Sequence, residues 1–367
     1  MPSKYWNYSR LRSVHLEVST LCNSICPWCP RYDNFSPNLN PNIVEGAYTL
    51  ERFKEHFSID FIQQIRYWTL AGDYGDPCTA PELLQILNHI DMCNPNSAIK
   101  IHTNGGMKQP QFWRDLGMLF KKNKDRLVIF SVDGLQTNDI YRRNVKWDRV
   151  LSNMTTYSHT GARGEWDYLQ FKHNEHEQED AKKLAETLGF KIVFKRPNGF
   201  EGGPMPARDK DYNVEYEIYP QEDNPIKPID DRVKNWIDTL DITETYSVYN
   251  KRDTKVRCMA NHSFGAGYEV RINYDGTVWP CSFFGHLSRK HLENRYVSKP
   301  HQMQMNDIFK NIDNNLNNKS LEEILNSDPF KEVYEGWEDN KIMLCSDSCG
   351  HRRTMDDIYK RDSGSGL

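Results

Sequence analysis

Three cysteines lie close together near the start of the chain, at Cys22, Cys26 and Cys29. Their spacing, C-x3-C-x2-C, brings three thiolates into one short loop. Structural zinc sites take four closed ligands, and ferredoxin-type clusters take a fourth cysteine. Three thiolates around a cubic iron–sulfur cluster would leave one iron open to a substrate or cofactor. The motif therefore indicates a site that performs chemistry.

Alternating strand-like and helix-like segments follow this loop. Six strand–helix units of this kind are typical of a parallel sheet with helices outside it. Six units instead of eight predict a partial (β/α)6 TIM-type barrel, an α/β fold open at one side. The cysteine loop follows the first strand, and in such barrels the chemistry lies beyond the carboxyl ends of the strands. The predicted strands are 14–19, 66–70, 98–102, 127–132, 168–172 and 191–194, and the predicted helices are 50–64, 81–93, 110–122, 147–157 and 175–188.

The second half of the chain has a different pattern. Residues 196–255 are rich in proline and glycine, which predicts a connector with little regular structure. Strands are predicted over 268–273 and 277–281 around an Asp-Gly turn signal, and a capping box from Ser320 to Glu323 predicts the start of a short helix. We predict a barrel domain over 1–196, a connector over 197–255, a small α+β domain over 256–352 and a tail over 353–367.

The composition excludes several classes of protein. The chain has 367 residues and a formal net charge of -4, and its basic residues form no long block, so we expect no nucleic-acid partner. No apolar stretch is long enough to span a bilayer, and the N-terminus lacks the apolar core of a signal peptide. We therefore expect a cytoplasmic protein without a membrane partner. Because that compartment keeps thiols reduced, its nine cysteines favour metal binding or catalysis over disulfides.

Motifs after the first four predicted strands resemble those of the radical S-adenosylmethionine (SAM) enzymes. In the cysteine loop, Trp28 precedes the last cysteine, as in that family. After the second strand, the run from Gly72 to Pro77 resembles the Gly-Gly-Glu-Pro element that holds the methionine amino group of SAM. Here Tyr74 replaces a glycine and Asp76 replaces the glutamate, and either this shorter carboxylate or the backbone carbonyls of the loop would accept from the ammonium.

The next two strands are followed by motifs of the same family. The run from Thr103 to Gly106 resembles the Thr-Asn-Gly turn of these barrels, and Ser131 to Gly134 resembles their Ser-x-Asp-Gly element. Downstream of the latter, the Tyr-Arg-Arg run that ends at Arg143 matches a region that reaches the SAM ribose and carboxylate in relatives. The resemblance covers residues 12–195 and implies these cofactor-binding residues: Trp28, Gly75, Asp76, Thr103, Asn104, Ser131, Asp133, Arg143 and Asn174.

A second resemblance concerns the C-terminal cysteines. Cys258, then Cys281 in a Gly-x4-Cys element, then the pair Cys345-x3-Cys349, resemble the twitch extension, which is the short form of the SPASM domain. A twitch domain carries one auxiliary 4Fe–4S cluster, and the four cysteines beyond Lys255 suffice for one cluster with full thiolate ligation. The competing interpretation of these four cysteines is a structural zinc site.

The resemblance implies a defined chemistry. Cys22, Cys26 and Cys29 would bind three irons of a 4Fe–4S cluster, and SAM would chelate the fourth. An electron delivered to the sulfonium would break a C–S bond and release a 5′-deoxyadenosyl radical, which abstracts hydrogen from a substrate carbon. The auxiliary cluster would accept an electron from the substrate radical, relay electrons or brace the domain. A flavodoxin- or ferredoxin-type protein is the expected electron donor.

Several alternatives stay open at the level of sequence. The first strand begins near Val14 and leaves no room for an N-terminal leader-binding domain, which favours a small-molecule substrate over a peptide or protein. A non-catalytic metal scaffold is the contrasting class. The first three cysteines would then form a zinc knuckle with a distant ligand such as His15. Cys78 is interpreted as a buried thiol or as a substrate-linked residue, and His173 as a contact for adenosine or substrate.

Overall fold

The chain divides into two compact units. A computed structural model describes residues 7–200, 203–222, 256, 258, 268–287, 299–336 and 342–349. Among these residues, the barrel unit comprises 16–63 and 67–222. The second unit comprises 7–15, 64–66 and the described residues from 256 onward.

Five parallel strands form the centre of the barrel unit. Adjacent strands in the sheet are also consecutive in the chain, as expected for strand–helix repeats. The strands are β2 (Tyr67–Leu70), β3 (Ala98–Thr103), β4 (Leu127–Ser131), β5 (Gly164–Leu169) and β6 (Lys191–Lys195). An antiparallel hairpin follows them, formed by β7 (Met205–Arg208) and β8 (Val214–Ile218).

Helices connect the strands of the barrel unit and bury one face each. In the third of them, Leu83, Ile86, Leu87 and Ile90 are buried, the spacing of an amphipathic helix. The helices are α1 (Leu50–His56), α2 (Ile59–Gln64), α3 (Leu83–Cys93), α4 (Pro110–Phe120), α5 (Asn138–Tyr141), α6 (Trp147–Ser158) and α7 (Gln178–Leu188).

Aromatic side chains fill the layer between strands and helices. Trp68 of β2 lies 5.7 Å from Phe53 of α1, measured between ring centroids. Phe130 of β4 lies 5.2 Å from Trp113 of α4. Trp68, Trp113 and Phe130 are each 1% exposed or less, so this layer is the main hydrophobic core of the unit.

The second unit combines strands with short helices. Strand β1 (Leu11–Leu16) neighbours β9 (Tyr268–Ile272), which pairs antiparallel with β10 (Val278–Trp279). Its helices are α8 (Ser282–Leu287), α9 (Lys299–Ile308), α10 (Leu321–Leu325), α11 (Asp328–Glu335) and α12 (Met343–Cys349). Across the described part of the chain, every helix is too short or too polar to cross a bilayer.

The predicted α/β class is confirmed, and so are several local features. The turn at Gly276 joins β9 to β10 with a φ of 90°, and the capping box at Ser320 opens α10. The segment predicted as one helix over 50–64 is two helices, because Phe57 adopts an extended conformation between them. Strand β1 ends at Leu16, three residues before the predicted end, and β5 runs over Gly164–Leu169, earlier than the predicted 168–172.

The predicted connector contains regular structure. Residues 203–222 hold the hairpin β7–β8, so the prediction of little regular structure is wrong there. The proline signal is misleading because Pro206 lies in an edge strand of a two-stranded sheet, where a missing N–H is tolerated. Residues 223–255 and the predicted tail lie outside the described residues.

The end of α7 allows a simple test of backbone conformation. Gly189 caps this helix with a φ of 68°, and a Cβ added there would meet no atom within 4 Å. We expect Gly189→Ala to lower the free energy of unfolding by about 1 kcal/mol, because the cost is purely that of the left-handed conformation. Gly189→Asn, which tolerates this conformation better, is the matched control in urea denaturation. Equal losses for both variants would contradict the explanation.

Candidate functional site

A long loop between β1 and α1 carries the three N-terminal cysteines. It is fixed by hydrogen bonds at several points: the Tyr32 hydroxyl donates to the Ser24 carbonyl at 2.9 Å, and the Ile25 N–H donates to the Arg143 carbonyl at 3.0 Å. The buried Arg31 guanidinium donates to the Thr20 carbonyl and pairs with the carboxylate of Glu45. These hydrogen bonds therefore tie the loop to the rest of the barrel unit.

The cysteine thiols lie close enough to influence one another. Burial raises the pKa of all three, and the neighbouring thiols raise those of Cys22 and Cys29 further, the latter to about 12. Ser24 contributes a polar contact to two of the sulfurs: its N–H lies 3.4 Å from Cys22 Sγ, and its Oγ lies 3.0 Å from Cys26 Sγ.

The donor set fits a cluster of several irons better than a single metal ion. In the part of the chain that the structure describes, no group of three His, Cys, Asp or Glu side chains is arranged to hold one metal ion. Three soft sulfurs with polar neighbours are the ligand set of an iron–sulfur cluster. His15, the alternative zinc ligand, has both ring nitrogens engaged: Nε2 lies 2.7 Å from Arg271 Nη1, and Nδ1 lies 2.6 Å from Ser282 Oγ.

The loop after β2 packs tightly against the start of the cysteine loop. A Cβ on Gly75 would lie 2.2 Å from the Ser19 carbonyl oxygen, so only glycine allows this approach. The buried carboxylate of Glu17 accepts from the N–H groups of Asp73 and Tyr74 at 3.0 and 2.9 Å. These contacts fix the backbone of the predicted SAM-binding loop.

Asp76 is bound within the protein itself. Its carboxylate accepts from Thr103 Oγ1 at 2.9 Å, from the Asn104 N–H at 2.7 Å and from the Cys78 N–H at 2.9 Å. Burial raises its pKa, and these donors oppose that shift. The carboxylate thus joins the segments that follow β2 and β3.

Because the Asp76 carboxylate links the segments after β2 and β3, its removal is expected to lower the free energy of unfolding. Asp76→Ala would leave several buried donors unsatisfied, and each such group costs about 1–3 kcal/mol. We expect this variant to lose about 3 kcal/mol of unfolding free energy in urea denaturation, and Thr103→Val, which removes one donor only, about 1 kcal/mol. A loss in Asp76→Ala no larger than in Thr103→Val would show that the carboxylate does not hold the two strand ends together.

Asn104 contacts both the Asp76 carboxylate and the cysteine loop. Its side-chain amide donates to Asn23 Oδ1 at 2.8 Å and lies 3.7 Å from Cys22 Sγ. Thr103 and Asn104 are buried at the carboxyl end of β3. The structure therefore brings the predicted residues Asp76, Thr103 and Asn104 together beside Cys22.

A buried ion pair follows β4. Asp133 is fully buried, and its Oδ2 lies 2.7 Å from Nε of Arg142. Burial raises the pKa of Asp133, and Arg142 opposes that rise. Arg142 also lowers the pKa of the thiols of Cys26 and Cys29, which places its positive charge beside the cysteine site.

Three other predicted SAM contacts, Arg143, Asn174 and Ser131, differ in their partners and in their burial. Arg143, the predicted SAM contact, donates to the Arg208 carbonyl and pairs with Glu215 of β8. The Asn174 amide donates to the carbonyls of Asp133 and Leu169, both at 2.9 Å. Ser131 ends β4 and is half-buried. The sequence motif contains both Arg142 and Arg143 and does not decide which of them reaches SAM; Arg143 was the residue predicted, and the structure places the charge of Arg142 beside Cys26 and Cys29.

The hairpin β7–β8 packs on the cysteine loop. Met205 and Ile218 are buried in an apolar cluster with Phe171, and the partly buried Cys26 and Trp28 pack against it. The Arg208 N–H donates to the Phe35 carbonyl at 3.0 Å, and Tyr216 donates to the Ile140 carbonyl at 2.7 Å. The hairpin and Cys26 thus belong to the same apolar cluster.

Beside the hairpin lies a cavity of about 550 Å³. Its lining includes Asp139, His173, Tyr216 and Tyr219. His173 stacks on Phe171 with ring centroids 5.1 Å apart, and burial lowers its pKa to about 4. It is therefore a neutral imidazole at physiological pH.

The four C-terminal cysteines all belong to the second unit. Cys258 and Cys345 are each 7% exposed, Cys281 lies two residues after the end of β10, and Cys349 ends α12. Burial, and to a smaller extent the neighbouring Cys349, raises the pKa of Cys281 to about 12. This effect places Cys281 and Cys349 close together.

Comparison with known proteins clarifies both cysteine groups. Residues 258–350 match the SPASM family model, described as an iron–sulfur cluster-binding domain, and all four C-terminal cysteines lie in that range. Streptococcus suis SuiB bound to S-adenosylmethionine aligns with 89% of this chain and 68% of its own, at 12% identity and a TM-score of 0.50. The anSMEcpe protein with bound AdoMet aligns with 88% of this chain and 79% of its own, at 12% identity and a TM-score of 0.51.

The chain has the fold of radical SAM enzymes. No curated protein matches it in sequence. Within the radical SAM fold, the three-cysteine loop lies after the first strand and the loop of Gly75 after the second, as the motifs predicted. The partial barrel of the predicted fold class is confirmed, and so is the SPASM-type character of the C-terminal segment.

Proposed function

We propose that this protein is a radical SAM enzyme that abstracts hydrogen from a substrate carbon. The observation that carries the proposal is the set of Cys22, Cys26 and Cys29, three mutually interacting thiols in one hydrogen-bonded loop. The structures of SuiB and anSMEcpe, which share the fold, contain bound SAM, which supports the same cofactor here.

Each residue of the candidate site has a specific role in this proposal. The three cysteines would hold a 4Fe–4S cluster, and the cluster with SAM would supply a 5′-deoxyadenosyl radical. Carbonyl groups of the loop at Gly75 would accept from the ammonium of SAM. Asn104 orients Cys22, and Arg142 provides positive charge beside the thiolates of Cys26 and Cys29. The hairpin β7–β8 excludes water, which protects a reactive radical from side reactions.

The second unit would hold one auxiliary 4Fe–4S cluster. Cys258, Cys281, Cys345 and Cys349 provide four thiolates, enough for full ligation. The match to an iron–sulfur cluster-binding family supports this assignment over structural zinc. Full ligation suits an electron acceptor, so the overall reaction would be a two-electron oxidation of a small molecule. A flavodoxin- or ferredoxin-type donor in a reducing, cytoplasmic environment completes the proposal.

Reductive cleavage of SAM tests the proposed activity. The anaerobically reconstituted protein is incubated with SAM and dithionite, and 5′-deoxyadenosine is measured by mass spectrometry. We expect product from the wild type and from Cys93→Ala, whose thiol lies on α3 near His89, away from the cysteine loop. We expect none from Cys26→Ala. Equal product from Cys26→Ala and Cys93→Ala would contradict the proposal.

A further inference from the structure

Ser24 lies midway between the first two cysteines and contacts the sulfurs of both. Its backbone N–H donates to Cys22 Sγ at 3.4 Å, and its Oγ lies 3.0 Å from Cys26 Sγ. Ser24 is only 3% exposed, so little water reaches its hydroxyl. The protein itself therefore supplies polar groups to two of the three sulfurs.

Ligation of iron would fix the direction of the contact between Ser24 and Cys26. Between a hydroxyl and a thiol, either group can donate. A cysteine that ligates a metal is a thiolate and has lost its hydrogen, so only the serine hydroxyl can then donate. The contact becomes a hydrogen bond to an ionised acceptor, which is about twice as strong as one between neutral groups.

Neighbouring groups hold the backbone of Ser24 in place. The hydroxyl of Tyr32, which is 9% exposed, donates to the Ser24 carbonyl at 2.9 Å. The next residue, Ile25, forms an antiparallel bridge with Arg143, and its N–H donates to the Arg143 carbonyl at 3.0 Å. With the backbone fixed, the position of the Ser24 oxygen depends on a single torsion angle, χ1.

We propose that Ser24 raises the reduction potential of the cluster held by Cys22, Cys26 and Cys29. This inference rests on the proposed function and concerns its first step, in which one electron passes from the external donor to the cluster. The added electron increases the negative charge on the sulfur ligands. Donors to those sulfurs therefore stabilise the reduced form more than the oxidised form, and such hydrogen bonds are among the factors that set cluster potentials.

Redox titration of the anaerobically reconstituted protein, followed by electron paramagnetic resonance, tests the inference. A variant with Cys22, Cys26 and Cys29 all replaced by alanine provides the baseline that isolates the signal of the N-terminal cluster. We expect Ser24→Ala to make reduction about tenfold less favourable, which is a midpoint potential lower by about 59 mV for a one-electron couple. Its iron content should equal that of the wild type, because the three cysteines and the backbone N–H of residue 24 remain.

Two further variants separate the effect of the hydroxyl from that of loop structure. Ser24→Thr keeps a hydroxyl on the same carbon atom and should retain the wild-type potential. Ser36→Ala removes a buried hydroxyl of the same loop, one that donates to the Asp33 carbonyl at 2.7 Å. This matched control should also leave the potential unchanged.

Several results would overturn the inference. They are an unchanged potential in Ser24→Ala, an equal fall in Ser36→Ala, and a potential in Ser24→Thr as low as in Ser24→Ala. Loss of iron from Ser24→Ala would also overturn it, because the hydroxyl would then serve cluster assembly and not the potential. Cleavage of SAM by the wild type tests the proposed function separately. Cleavage with equal potentials refutes only the role of Ser24, and a lowered potential without cleavage refutes only the radical activity.

Discussion

The wild-type protein, purified without oxygen, is expected to contain about eight irons per chain, and the triple variant Cys22/Cys26/Cys29→Ala about four. The three mutations remove every thiolate of the N-terminal loop and leave the four cysteines of the second unit intact. Iron and acid-labile sulfide are measured on both proteins after identical reconstitution. The double variant Cys78/Cys93→Ala is the control, because neither thiol belongs to the two cysteine groups, and it should retain the wild-type iron content.

Two other results would separate the cluster assignments. About four irons in the wild type and almost none in the triple variant would mean that the C-terminal cysteines bind zinc or no metal. The auxiliary cluster and its role as electron acceptor would then be wrong. Iron absent from both proteins would refute the radical mechanism as a whole.

Replacing Asp133 by alanine is expected to lower the free energy of unfolding by about 3–5 kcal/mol, because it leaves the buried cation of Arg142 without its partner. The same change removes the acceptor of the Leu169 N–H, which lies 2.8 Å from Asp133 Oδ1. Urea denaturation of the iron-free protein measures the loss, so that cluster content does not affect the comparison.

The neighbouring arginine provides a matched control for this effect. Arg143 also makes an ion pair, with Glu215, but the two side chains are 20% and 42% exposed. Exposed pairs contribute about 0–1 kcal/mol, so Arg143→Ala should be nearly as stable as the wild type. If both variants lost the same stability, burial would not be what distinguishes the two ion pairs.

Short-range signals predicted much of the fold, and long-range contacts decided the rest. The Asp-Gly turn before β10, the capping box at Ser320 and the αL glycine at Gly189 are local devices, and each is in place. The hairpin β7–β8 could not be predicted, because its strands are stabilised by packing on the cysteine loop and not by their own propensity.

In the candidate site, too, the sequence motifs could be predicted and the long-range contacts could not. The cysteines and the loops after β2 and β3 are sequence motifs, and the structure brings Asp76, Thr103 and Asn104 together as their order implied. The Asp76 carboxylate accepts hydrogen bonds from Thr103 and Asn104 because the ends of β2 and β3 lie close together. The spacing of these residues in the sequence does not show that proximity.

The order of the cysteine loop has a consequence for how the enzyme matures. Tyr32, Arg31 and the hairpin hold the loop through protein contacts, so folding can finish before iron arrives. Cofactor loading then becomes a late, separate event, unlike in zinc fingers, where the metal drives folding. Apoprotein made under air should remain a competent acceptor for the assembly machinery of the cell and for chemical reconstitution in the test tube.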